Sequence, residues 1–153
     1  MTSFLDKLFG LEDRVAVITG GGGYLCGEMA HGLAKAGCKI AVMDLRGHKA
    51  ENVARDIRDS IGVEAIGLEI DASDKNAFAD GLDQTLAVFG RADILINGAG
   101  INAPTTFFEI TVDEFNDVIK SQITSTLLGC QVFGRHMLDQ GKGAIINISS
   151  ALS

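Results

Sequence analysis

"VITGGGGYLCGEMA", Val17 to Ala30, sets four consecutive glycines between an apolar run of β character and an amphipathic run of helical character. A strand, a glycine-rich turn and a helix within one βα unit bring unblocked backbone amides and a helix N-terminus to one point, which is an anion site. Where the anion is the diphosphate of a dinucleotide, an acidic residue closes the next strand about 20 residues on. Asp44, at the end of "KIAVMD", stands in that place. The competing phosphate motif needs Gly-Lys-Ser/Thr after the glycines, whereas Tyr24 and Leu25 follow here, which removes an ATPase reading. A merely flexible turn would account for the glycines but not for Asp44.

The turn and the first helical residues, Gly20, Gly22, Gly23, Tyr24 and Leu25, are therefore the candidates for holding a diphosphate. The carboxylate of Asp44 can accept from adenosine ribose hydroxyls and would repel a 2′-phosphate, so the expected cofactor is NAD rather than NADP. Arg46 could pair with a 2′-phosphate, but Asp44 argues more strongly against one.

Outward from this turn, short apolar runs alternate with longer amphipathic stretches, the mark of repeated βα units and an α/β fold. Strands are expected at Arg14–Thr19, Lys39–Asp44, Glu64–Ile70, Ala92–Asn97 and Gly143–Ser149. They are continuously apolar, as strands covered on both faces must be. Helices are expected at Tyr24–Ala36, Lys49–Ser60, Lys75–Phe89 and, as one long element, from Val112 to about Gln140. The last begins "TVDE", where Thr111 and Glu114 can form a capping box. On it Phe115, Val118, Ile119, Gln122 and Thr126 share one face, which is expected to point inward.

At 153 residues, 46% hydrophobic and 22% charged, the chain reads as one domain, residues 1–153, able to bury a core. A net charge of −7 gives no electrostatic support for binding nucleic acid. Cys26, Cys38 and Cys130 are far apart and without a CxxC pair, so neither a disulfide framework nor a metal site is expected, and a reducing, cytoplasmic compartment fits. His31, His48 and His136 lack ligand spacing. The first fourteen residues have neither a cationic start nor a cleavage site, and no run approaches the length of a membrane span, so no membrane partner is expected.

With these motifs in order, the sequence resembles the short-chain dehydrogenase/reductase family along its whole length. The family pattern Thr-Gly-x-x-x-Gly-x-Gly is matched by Thr19 and Gly20, while Tyr24 and Cys26 stand at the two later glycine positions, as part of a TGGxGxLG-like turn in which Gly23 takes the close-approach role. The resemblance implies a Rossmann-like, doubly wound parallel sheet with strand order 3-2-1-4-5, shortened before the family's later strands. It implies that Asp71 and Ala72, in "LEIDAS", contact the adenine ring. In "LINGAG", Asn97 would tie neighbouring strand ends together, Ala99 completes the motif, and Gly100 would give the cofactor room.

For chemistry, the resemblance implies hydride transfer between an alcohol and a carbonyl, with a sugar acid or polyol as the substrate class and a homo-oligomer as the full-length state. Ser150 aligns with the serine that hydrogen-bonds the substrate oxygen. Gln122 aligns with an asparagine that supports a proton relay; a glutamine keeps the same donors and acceptors one methylene further out. A structural, hydrogen-bonded glutamine is the alternative. The family's Tyr-x-x-x-Lys does not occur, the one tyrosine being Tyr24. The chain is thus expected to be a fragment of such an enzyme, inactive alone. A non-catalytic module that senses NAD(H), and a structural fragment that binds nothing, are the rival readings.

Overall fold

The computed structural model describes residues 9–149. Five strands, β1 (Val15–Thr19), β2 (Lys39–Asp44), β3 (Ala65–Glu69), β4 (Ile94–Asn97) and β5 (Ala144–Asn147), form one sheet in the order β3-β2-β1-β4-β5. All neighbours run parallel. The expected α/β Rossmann-like sheet is therefore present with its expected strand order. Helices α1 (Tyr24–Lys35), α2 (Gly47–Ile61) and α3 (Lys75–Phe89) supply the crossovers.

β1 and most of β2 are buried at every residue, which is why both read as unbroken apolar runs. Side chains alternate between two layers. Ala16, Ile18, Ile40 and Val42 pack under α1 and α2, whose buried faces are mostly alanine, Ala30, Ala34, Ala50 and Ala54, with Ile57. Val17, Ala41, Met43 and Leu95 pack on the other side against Phe78 and Phe133, whose rings meet edge to face at 6.3 Å. β5 departs from the expected coverage on both faces. Ile145 joins the second layer, but Ile146 is 48% exposed, because no helix follows β5 within the described residues to cover its other face.

The long helix also departs from expectation. It is α4 (Val112–Ile119), a π turn at Lys120–Thr124, and α5 (Ser125–Gln140). The capping box forms as expected, with Thr111 Oγ1 accepting the Glu114 N–H and Glu114 Oε2 accepting the Thr111 N–H. Downstream, Ser125 Oγ donates to the carbonyls of Ser121 and Gln122 and Thr126 Oγ1 to that of Gln122. Hydroxyls that draw on helix carbonyls in this way compete with the regular ladder, and the wider turn sits among them. The face expected to point inward is only partly covered: Phe115 is 53% and Ile119 39% exposed.

At the amino-terminal edge of the sheet, buried Asp93 accepts hydrogen bonds from the Val15 N–H and from Arg14 and Arg91. This ties β1 to the start of β4 at the end of the sheet away from the glycine turn.

Candidate functional site

In the order β3-β2-β1-β4-β5 the connections leave β1 toward opposite sides, so a crevice opens at the carboxyl ends of β1 and β4. A cleft of about 710 Å³ lies there, lined by Gly20, Gly23, Tyr24 and Leu25 after β1, by Asp44 and Arg46 after β2, by Asp71 and Ala72 after β3, and by Ala99 and Gly100 after β4. The structure thus gathers residues singled out from four separate stretches of sequence. Gly22, Asn97 and Gln122 do not line it, and Ser150 lies outside the described residues.

The four glycines have different reasons. Gly20 has φ +66°, and a Cβ there would lie 2.9 Å from Ala99 Cα. A Cβ on Gly21 would meet Val42 at 2.7 Å, and one on Gly22 would meet Asp44 Oδ2 at 2.9 Å. Three of the four side chains are therefore excluded by the protein itself, from β2, the start of α2 and the turn after β4. The amides are also partly spent: Gly21 donates to the Met43 carbonyl, Gly22 to Asp44 Oδ2 and Gly23 to the Gly20 carbonyl. The amides of Gly22 and Gly23, two of the residues expected at the diphosphate, are thus engaged within the protein. The free donors lie one step on. Gly23 is the N-cap of α1 and provides no side-chain acceptor, so the first-turn amides of Tyr24, Leu25 and Cys26 have no intrahelical partner. No acidic residue stands in that turn, whereas α4 carries Asp113 and Glu114 there and α3 is capped by Asp74.

Asp44 is 5% exposed. Its Oδ2 accepts from Gly22 N at 3.1 Å, and its Oδ1 accepts from Arg46 N at 3.0 Å and Arg46 Nε at 3.3 Å. A carboxylate offers about four lone-pair sites, so these bonds leave room for about one more donor. Asp71 accepts from both the N–H and the hydroxyl of Ser73 on the same oxygen, Oδ1. Those two bonds, with Lys120 adding to them, hold its carboxyl below the usual range.

Cys26 is buried, with its thiol donating to the Gly98 carbonyl at 3.7 Å, and burial, then the charge of Asp44, pushes its pKa up. It is a small apolar filler against the β4 turn and not a reactive thiol. Thr19 Oγ1 accepts the N–H groups of Gly98 and Ala99, tying the ends of β1 and β4 together. Asn97 Nδ2 donates to Asn147 Oδ1 at 2.9 Å, so this side chain does link the ends of β4 and β5. Gln122 finds its partner in the Ile101 carbonyl at 2.8 Å, and a Cβ on Gly100 would lie 2.8 Å from Gln122 Cγ.

Sequence reasoning missed Asp117, Lys120 and Ser121, which turn toward the cleft from α4 and the π turn. Their spacing of three and four residues is itself a helical face, but the apolar stripe beside it drew the reading instead. Among the described residues no group of three or more His, Cys, Asp or Glu is placed to hold a metal ion, and no helix is long and apolar enough to cross a membrane.

Residues 14–153 match the short chain dehydrogenase family. The chain is 32% identical over 146 residues to D-threitol dehydrogenase of Mycolicibacterium smegmatis, covering 95% of this chain and 56% of that protein. It is 36% identical over 146 residues to 2-dehydro-3-deoxy-D-gluconate 5-dehydrogenase of Dickeya dadantii, with the same coverage of 95% and 56%. Among solved structures, NAD+-bound xylitol dehydrogenase superposes with a TM-score of 0.87 at 28% identity, covering 92% of this chain and 54% of that one. The chain thus spans about half the length of the relatives it matches. With the glycine turn, the Asp44 strand end and the β4 turn converging on one cleft, the chain belongs to the short chain dehydrogenase family.

Proposed function

We propose that residues 1–153 form the nucleotide-binding part of an NAD-dependent oxidoreductase that interconverts an alcohol and a carbonyl on a polyol or sugar acid. The observation that carries this reading is the pairing, in one cleft, of the unpartnered first-turn amides of α1 with the buried carboxylate of Asp44. The residues fit a dinucleotide. The amides of Tyr24 and Leu25 hold the diphosphate, helped by the positive end of α1. Asp44 takes a ribose hydroxyl at its remaining lone-pair site, where a 2′-phosphate would meet a buried negative charge. Asp71 Oδ2 accepts from the adenine amine, and Ala72 lines the same end of the cleft. Gly20 shapes the turn so that it seats against Ala99.

When bound, the nicotinamide supplies the hydride-exchanging carbon. On the protein side, Gln122 holds the loop at Ile101 beside the cleft, and Ser150 is assigned to the substrate oxygen. The choice of a polyol or sugar acid is supported by the relatives that act on D-threitol and on 2-dehydro-3-deoxy-D-gluconate.

Calorimetric titration with NAD and NADP, followed by a turnover screen of polyols and sugar acids with the full-length gene product, tests the proposal. Tighter NAD binding and reduction of NAD by a polyol or sugar acid support it. Tighter NADP binding, or no binding of either nucleotide, contradicts it.

A further inference from the structure

Tyr24 is the first residue of α1, lines the cleft, and is 88% exposed. A tyrosine side chain carries a large apolar face and a polar O–H tip that can donate or accept a hydrogen bond. Among the described residues, the ring of Tyr24 is left exposed and its O–H has no hydrogen-bond partner. The Cα–Cβ bonds of an α-helix tilt toward its N-terminus, so from this position the ring leans off the end of α1, over the side from which its own amide and that of Leu25 would be approached. The cationic side chains lining the cleft, Arg46 and Lys120, come from the other elements: Arg46 is held on Asp44. Gly23, next to Tyr24, carries no side chain and lines the same cleft.

We infer that the side chain of Tyr24, beyond its main-chain amide, is a cofactor-binding element: the ring closes over the bound diphosphate and the phenol O–H donates to a phosphate oxygen. The inference rests on the dinucleotide reading above. It adds a donor to a site otherwise built from backbone amides and shields that site from water, which strengthens each of its charged hydrogen bonds.

The chain has one tyrosine and no tryptophan. Protein labelled with 3-fluorotyrosine therefore gives a single ¹⁹F resonance, which reports Tyr24 alone. The test is titration of the labelled protein with ADP-ribose, and calorimetry of ADP-ribose with unlabelled wild type and Tyr24→Phe. The exposed position predicts an unchanged melting temperature for the variant, so a change in binding is not a folding defect. The expected result is a shift of the ¹⁹F resonance that saturates with ADP-ribose, and binding weakened about tenfold in Tyr24→Phe, the scale of one exposed charge-assisted hydrogen bond. Binding by the wild type with an unmoved resonance, or with equal affinity in Tyr24→Phe, overturns the inference and leaves the dinucleotide reading standing. Absence of ADP-ribose binding by the wild type removes the dinucleotide reading, and the role of Tyr24 with it.

Discussion

The backbone N–H of Gly22 donates to Asp44 Oδ2 at 3.1 Å, so the strand-end carboxylate holds the glycine turn as well as facing the cleft. Asp44→Ala should therefore do two things. It leaves the Gly22 and Arg46 amides without their buried acceptor, a loss of about 2 kcal/mol, or roughly 4–8 °C in Tm. It also weakens NAD and narrows the gap between NAD and NADP. Thermal melts and paired titrations measure both; an unchanged melting temperature would show that the turn does not depend on the carboxylate.

The glycines separate by position. Gly20→Ala places a Cβ at 2.9 Å from Ala99 Cα in a backbone of φ +66°. Strain and clash together should destabilise by more than about 1 kcal/mol and abolish nucleotide binding. Gly32→Ala, in α1 with nothing within 4 Å of the new Cβ, should instead stabilise by roughly 0.5–1 kcal/mol. Urea denaturation of both variants gives opposite signs if the packing is as described.

Asp93 should govern acid stability. Burial alone would raise its carboxyl, but the hydrogen bonds from Arg91, Val15 and Arg14 outweigh that and hold it below the usual carboxylate range. A group depressed in the folded state contributes stability that is complete above its unfolded pKa, about 3.9, and is lost as pH falls through the folded value. Asp93→Asn should lower stability at neutral pH and flatten the decline of stability below about pH 4. Denaturation midpoints measured against pH test this; an acid limb of unchanged slope would place the dependence on other carboxylates.

His31 works in the opposite direction. Its Nδ1 meets the Gly27 carbonyl at 2.8 Å and its Nε2 meets Asp56 at 2.7 Å, so both ring nitrogens face acceptors. The Gly27 carbonyl first, and then Asp56, raise its pKa. The resulting stability is fully present below the unfolded value of about 6.5 and is lost as pH rises through the folded one. Because Asp56 is 67% exposed, the effect should stay below about 1 kcal/mol and fade in high salt. Titration of the His31 ring by NMR, in wild type and Asp56→Asn, should give a lower pKa in the variant.

The α/β class was legible because β1 and β2 are buried on both faces and must be apolar throughout, and the turn because glycine runs are rare without a steric cause. The cause itself was not legible. Gly21 is excluded by Val42 and Gly22 by Asp44, contacts between residues about 20 apart that only the folded sheet creates. The site along the helix was misread for a related reason. Apolar periodicity singled out Phe115 and Ile119, yet the polar face with Asp117, Lys120 and Ser121 turns to the cleft, after a π turn that no spacing rule announces.

In crystals grown with NAD, diphosphate oxygens should lie within hydrogen-bond distance of the Tyr24 and Leu25 amides, and an adenosine ribose hydroxyl should lie on Asp44. Nucleotide bound elsewhere, or its diphosphate seated away from the start of α1, would contradict this binding mode.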